Sequence, residues 1–217
     1  ISVEFDGVMA NSEVWINGKS LGKRPYGYIS FAFDLTPYLN FGKPNTIAVR
    51  ADNLVQPASR YYTGAGIYRH TRLISTHPAH FDHWGVFVTT PEASAQQATI
   101  KLALKIVQEN KVQKGLSVQT VILDANQQQV AISEKTNLST LASQTAYQQI
   151  KLAQPKLWSL ENTHLYTAVT KLYFKNQVID QESTAFGIRD AKFEAATGFW
   201  LNGKNIKLKG VCLHHDG

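Results

Sequence analysis

The sequence predicts an all-β protein built as two β-sandwiches in tandem. Three observations carry that prediction. Short apolar–polar alternations recur along nearly the whole chain, and no long segment shows a helical period. Gly, Pro and Asn residues separate these runs at short intervals. Asn-Gly stands between alternating runs at Asn17-Gly18 and again at Asn202-Gly203, where both residues accept the positive φ of a two-residue hairpin.

The first series begins with Val3 and Phe5 alternating with Ser2 and Glu4. Residues 13–16 run into the Asn17-Gly18 turn and return through 19–21. Residues 28–33 are predicted as a strand with Ile29, Phe31 and Phe33 on one face, and 34–39 as a short helical turn. Residues 46–51 and 69–74 complete the set, and many short strands with Gly and Pro punctuation imply a sandwich. The stretch 77–80 breaks the pattern and reads as a junction. A second series follows at 84–89, 98–107, 116–123, 129–132, 147–152, 166–173 and 178–185. That is the strand spacing of an immunoglobulin-like sandwich, without the cysteine pair of antibody domains. Residues 126–129 and 175–177 fit hairpin tips. Residues 186–217 are too few for a domain of their own.

Composition bounds the function. A chain of 217 residues has room for one large or two small domains, and 43% hydrophobic residues can build real cores. Charged residues are only 18%, so the surface rests on Gln, Asn, Ser and Thr. The net charge is +6, but Lys and Arg are scattered with no cluster of four; without a basic stripe, nucleic-acid binding is not expected. No apolar run approaches the ~18 residues that cross a membrane. The lone Cys212 excludes an internal disulfide, and its place between Val211 and Leu213 predicts a packed thiol in an apolar strand. The opening Ile1-Ser-Val-Glu-Phe5 reads as mid-domain, so the chain is expected to continue upstream.

Four stretches resemble glycoside hydrolase family 2, the β-galactosidase, β-glucuronidase and β-mannosidase group. They are Glu13-Val-Trp-Ile-Asn-Gly-Lys19, Gly64-Ala-Gly-Ile-Tyr-Arg69, Leu157-Trp-Ser-Leu-Glu-Asn-Thr-His-Leu-Tyr166, and residues 186–217 with Phe186-Gly-Ile-Arg189 and His214-His215-Asp216. Their order and separations match the family across nearly the whole chain. The resemblance implies a jelly-roll-like, sugar-binding sandwich over 1–76, an immunoglobulin-like sandwich over 77–185, and over 186–217 the first hairpin and strand of a truncated catalytic TIM barrel. It also implies a parent enzyme that hydrolyses terminal β-linked sugars with retention, β-galactosidase-like in its His-His-Asp ending. A stand-alone carbohydrate-binding or adhesion module is the alternative. Partners implied are a carbohydrate substrate and the protein's own barrel. No cofactor and no metal are expected, and the oligomeric state is unassigned. The compartment is unassigned: no export signal is visible, and a bacterial periplasmic or secreted protein is the expectation.

The candidate substrate-binding residues are His214, His215, Asp216 and Arg60. Residues at the C-terminal end of a barrel strand face the active site; with 210–213 as that strand, His214 onward lies at the rim, and the family places a substrate-contacting histidine there. Arg60 precedes the strand carrying Arg69, in a loop that the family sends toward the barrel mouth, and its guanidinium suits a hydroxyl or carboxylate; a plain surface or interdomain salt bridge is the alternative. Tyr26, Tyr28, Tyr61 and Tyr62 could stack on a sugar ring, Trp158 is expected in a sandwich core, and His77, His80 and His83 read as a polar linker rather than a metal cluster. No catalytic residue is expected here. Retaining glycosidases need two carboxylates about 5–5.5 Å apart. The family's acid/base is a Glu after an Asn, and the chain contains no Asn-Glu pair, so the catalytic Glu pair is expected beyond residue 217.

Overall fold

The structure is a computed structural model that describes residues 1–54, 64–109 and 112–212. Apart from one short 3-10 turn, Thr36–Tyr38, its regular elements are β-strands. The chain divides into two compact units, the first built on Ile1–Ser75 and the second on Thr76–Lys209.

In the first unit the strands are β1 (Ser2–Phe5), β2 (Val8–Met9), β3 (Ser12–Ile16), β4 (Lys19–Arg24), β5 (Phe31–Asp34), β6 (Ile47–Arg50), β7 (Gly66–Ile67) and β8 (Thr71–Ile74). β1 lies between β5 and β8, β3 lies between β4 and β6, and β2 pairs with β7, all antiparallel. Val3, Phe5, Val8, Val14, Ile16, Phe31 and Leu35 form the core. Asn17 and Gly18 take φ of 49° and 79°, closing the hairpin at Ile16 and Lys19. Asn17 does more than turn. Its Nδ2 donates to the Tyr38 carbonyl and to Asn45 Oδ1, and its Oδ1 accepts from Thr46 N, which ties the hairpin to the segment between the 3-10 turn and β6.

Two departures from the predicted alternation have physical causes. The strand expected over 28–33 starts only at Phe31, because β1 ends at Phe5, directly opposite Phe31, and offers no ladder to earlier residues; Ile29 is exposed. Glu4, on the polar side of the alternation with Val3 and Phe5, is buried. Arg72 stands directly opposite it on β8, with Nη1 3.4 Å from Glu4 Oε1 and 2.8 Å from Asp6 Oδ1. Hydrogen bonding to Arg72 holds the Asp6 carboxyl below its ordinary value. A depressed folded-state pKa contributes stability that is present above the unfolded value and lost as pH falls through the folded one. Arg72→Gln is therefore expected to lower the unfolding midpoint of the first unit at neutral pH. The gap from the parent should narrow as pH falls through the carboxylate range, which thermal melts between pH 7 and pH 3 would show.

The second unit contains β9 (Ala79–Ala93), β10 (Gln97–Gln108), β11 (Leu116–Leu123), β12 (Gln129–Ile132), β13 (Thr136–Asn137), β14 (Ser143–Ala153), β15 (Tyr166–Phe174) and β16 (Gln177–Phe186). One sheet runs β14-β10-β9; the other runs β12-β11-β15-β16, with β13 also on β11. β10 shows why they pack: Ala98, Ile100, Leu102, Leu104 and Ile106 are all buried on one face, against Leu116, Val118, Ile122, Ala168 and Leu172 of the other sheet. Lys175 and Asn176 take φ of 49° and 66° in the tight turn between β15 and β16. Asp124 caps the tip before β12 through Oδ1, which accepts from Asn126 N and Gln128 N.

A three-stranded meander follows: β17 (Ala191–Glu194), β18 (Gly198–Leu201) and β19 (Lys204–Ile206). The Asn202-Gly203 turn has φ of 50° and 77°. Asn202 repeats the double duty of Asn17. Its Nδ2 donates to the Trp158 carbonyl at 3.0 Å and its Oδ1 accepts from Asp190 N at 3.0 Å. The strand expected over 210–213 is not formed at 210–212, and Cys212, expected to be packed, is exposed. An apolar run becomes a buried strand only where a neighbour supplies its ladder and a facing layer; no described strand pairs with residues 207–212, and Val211 is 95% exposed.

Candidate functional site

The first unit carries an open concavity of about 620 Å3, lined by Asp6, Ser30, Ile67, Tyr68, Arg69 and His70. Three short turns converge to make it. β1 ends at Phe5, the 25–30 connection ends at Ser30, and the chain switches sheets between β7 and β8 at residues 68–70. Asp6 N donates to the His70 carbonyl at 2.9 Å, and Ser30 Oγ donates to the Asp6 carbonyl at 3.3 Å, so the three segments are laced together.

Tyr68 is the wall of this concavity, and glycine sets its position. A Cβ on Gly7 would lie 2.7–2.8 Å from the far edge of the Tyr68 ring, so that edge packs against bare backbone there. Its hydroxyl donates to the Gly27 carbonyl at 2.9 Å. Arg69 places its guanidinium 5.3 Å from the same ring. Tyr28 meets Tyr68 edge-on at 6.5 Å, and Tyr26 meets Tyr28 at 5.6 Å, giving a half-exposed aromatic rim. The wall is aromatic, while a carboxylate, a hydroxyl, a guanidinium and an imidazole lie around it. That set can stack on an apolar ring face and exchange hydrogen bonds with hydroxyls.

Of the residues singled out in the sequence, Arg60, Tyr61, Tyr62, His214, His215 and Asp216 lie outside the described residues. Tyr26 and Tyr28 are at the concavity's rim. His77 and His80 make local bonds: His77 Nδ1 accepts from Ala79 N at 3.0 Å, and His80 Nδ1 lies 2.9 Å from the His77 carbonyl. The carboxylates have individual partners or open surroundings. Glu13 pairs with Lys23 and Glu92 accepts from Thr99 Oγ1. Burial and the neighbouring Asp180 raise the Glu182 carboxyl above its ordinary value. Asp6, Ser30, Tyr68, Arg69 and His70 were not singled out as a group. The sequence signal was the Gly64–Arg69 stretch, whose glycines are visible but whose convergence with Asp6 and Ser30 is tertiary.

The model of the glycosyl hydrolases family 2 matches residues 79–189. The chain belongs to glycosyl hydrolases family 2. It is 45% identical over 99% of its length to a beta-galactosidase of Bacteroides ovatus, BoGH2A, and also 45% identical over 99% to a putative beta-glucuronidase of Formosa agariphila. A crystal structure of a family 2 member from Bacteroides cellulosilyticus superposes on 99% of the chain with a TM-score of 0.94 at 41% identity. The chain spans about a quarter of these proteins: 25%, 20% and 28% of their lengths. All three come from bacteria, and no helix among the described residues is long and apolar enough to cross a membrane.

The stretches that resemble family 2 have visible structural work. Glu13–Lys19 forms the β3–β4 hairpin with its Asn17 clamp. Trp158, expected in a sandwich core, is only partly buried. Its ring lies on Gly187, where a Cβ would be 3.0–3.1 Å away, and under Arg189, whose guanidinium is 5.4 Å from the ring. The Trp158 backbone N–H donates to the Ile188 carbonyl. The third and fourth stretches are thus one assembly, with Phe186-Gly-Ile-Arg189 shaped to receive Trp158 and with Asn202 holding the Trp158 carbonyl from the other side.

Proposed function

We propose that this chain is the accessory front of a retaining family 2 glycosidase, most like a β-galactosidase. Residues 1–76 and 77–185 are its two sandwiches, and 186–217 is the opening of its catalytic barrel. The observation that carries this reading is the 45% identity to the Bacteroides ovatus beta-galactosidase over 99% of the chain. The hydrolytic carboxylates belong to the remainder of the longer protein. In this reading Arg60, His214, His215 and Asp216 contact the sugar, and the concavity around Tyr68 contributes a stacking wall to a carbohydrate. The equal identity to a putative beta-glucuronidase supports a second specificity, for a glycoside bearing a carboxylate.

The test is hydrolysis of a panel of nitrophenyl α- and β-glycosides by the full-length protein, with the anomer of the first-formed product read by NMR. Turnover of the β-galactoside with retention is the expected result. Preference for the β-glucuronide moves the specificity to the second reading, and binding without any hydrolysis leaves a carbohydrate-binding module. Tyr68→Ala is expected to raise KM for an oligosaccharide about five- to tenfold with kcat little changed, as loss of one aromatic contact worth about 1 kcal/mol predicts. An unchanged KM removes the concavity from the substrate path.

A further inference from the structure

The second unit carries an aromatic platform on the outer face of its three-stranded sheet, away from the sandwich core. Register puts Phe87, Ala103 and Tyr147 side by side across β9, β10 and β14. Phe87 is 65% exposed and Tyr147 is 75% exposed. Their α-carbons are two strand intervals apart, about 10 Å, and side chains stand roughly perpendicular to a sheet. The small Ala103 therefore floors a trough between two aromatic side chains. The next row on the same face is wholly polar: Thr89, Lys101 and Gln149. The face carries one more cation than anion. Lys101, Lys105 and Lys151 lie on it, against Asp82, which pairs with Lys105 at 2.6 Å, and Glu92, which accepts from Thr99 Oγ1. Trp84, in the β9 bulge, is also exposed.

We infer that this face binds an acidic oligosaccharide, a chain of uronic-acid units, as a second carbohydrate site on the immunoglobulin-like unit. Single exposed apolar residues need no explanation, but two exposed aromatics flanking one small residue in register form a patch that does. Aromatic walls suit the apolar faces of pyranose rings, and the adjoining amide and hydroxyl suit ring hydroxyls. The lysine excess selects a carboxylate-bearing chain over a neutral one. The choice of a sugar as occupant rests on the glycosidase reading; the position and charge of the site do not.

The test uses the full-length protein, with β-1,4-linked mannuronate tetramer and cellotetraose as probes in isothermal titration. The expected result is binding of the uronate, weakened by salt, and at least tenfold preference for it over cellotetraose. Phe87→Ala/Tyr147→Ala should abolish that binding, and Lys101→Gln should erase the preference. Both variants should keep the parent melting temperature and the parent kcat/KM on a nitrophenyl glycoside, since these side chains are exposed. Uronate binding unchanged in both variants, or no binding by the parent, overturns the inference. So does a folded full-length Tyr147→Cys/Cys212→Ser protein whose residue 147, followed by peptide mapping, a maleimide cannot label, because the face is then covered by another segment or copy. Activity on nitrophenyl glycosides is read separately, so a failure of the glycosidase reading is distinguishable from a failure of this site.

Discussion

Gly85→Ala is expected to destabilise the second unit by about 3 kcal/mol, at the upper end of the usual cost of overpacking a buried site. Gly85 sits in an enlarged bulge of β9. The register passes from Leu104 opposite Val86 to Ile106 opposite Phe81, so residues 82–85 face Lys105 alone. Gly85 is buried there, and a Cβ would lie 2.7 Å from the Asp82 carbonyl oxygen, 2.7 Å from the Lys105 carbonyl oxygen and 2.9 Å from Asp82 N. All three are backbone atoms, so no side chain can swing aside to make room, in contrast to Gly7, where only the Tyr68 ring must move. The bulge is also held electrostatically. Burial tends to raise the Asp82 carboxyl, but the Lys105 ammonium and the His83 N–H outweigh it and hold the carboxyl below its ordinary value. Urea unfolding followed by tryptophan fluorescence checks the prediction, since Trp84, Trp158 and Trp200 all lie in this unit. A change below about 0.5 kcal/mol, the size of an ordinary surface substitution, would mean that the bulge relaxes freely.

Gln148→Leu is expected to cost a similar amount, about 2–4 kcal/mol, through stranded polar groups rather than overpacking. Gln148 points from β14 into the sandwich. Its Oε1 accepts from Thr120 Oγ1 at 2.7 Å, and Thr120 Oγ1 lies 3.0 Å from Thr170 Oγ1. Its Nε2 reaches the Val118 carbonyl, the Glu134 carbonyl and Thr136 Oγ1 at 3.1–3.3 Å. One amide thus links β14 of one sheet to β11 and β13 of the other, and through Thr120 to β15. Thr120 and Thr170 are fully buried, so neither hydroxyl can turn to water when the amide is lost. Adding Thr120→Val and Thr170→Val to Gln148→Leu should recover part of the stability, because apolar groups of the same shape leave nothing unsatisfied. If the triple variant is no more stable than the single one, the loss comes from packing and not from the network.

The local geometry of this chain was legible in its sequence because it depends on neighbours a few residues away. Period-two alternation placed the strands of the second sandwich, with β11 and β12 matching the predicted bounds and β9 and β14 longer than expected. Asn-Gly chemistry placed both hairpins, and the family 2 resemblance, carried by four short stretches, agreed with the comparisons. What escaped the sequence was set by partners far along the chain. Glu4 lies on the polar side of an alternation, and its burial follows only once Arg72 arrives opposite it on β8. Gln148 occupies a position that alternation assigns to an apolar side chain; only the facing sheet's threonines make an amide acceptable there. Trp158 reads as core, but Gly187 and Arg189 give it a half-open seat instead. Cys212 shows the converse: its apolar neighbours suggest burial, yet burial needs a ladder and a facing layer that no described strand provides. The concavity of Asp6, Ser30, Tyr68, Arg69 and His70 belongs to the same class. Sequence determined the hairpin turns and most of the strands, whereas tertiary structure decided which residues meet and where expected strands stop short, as at 28–30, or fail to form, as at 210–212, because loop closure joins segments dozens of residues apart and leaves no local pattern to read.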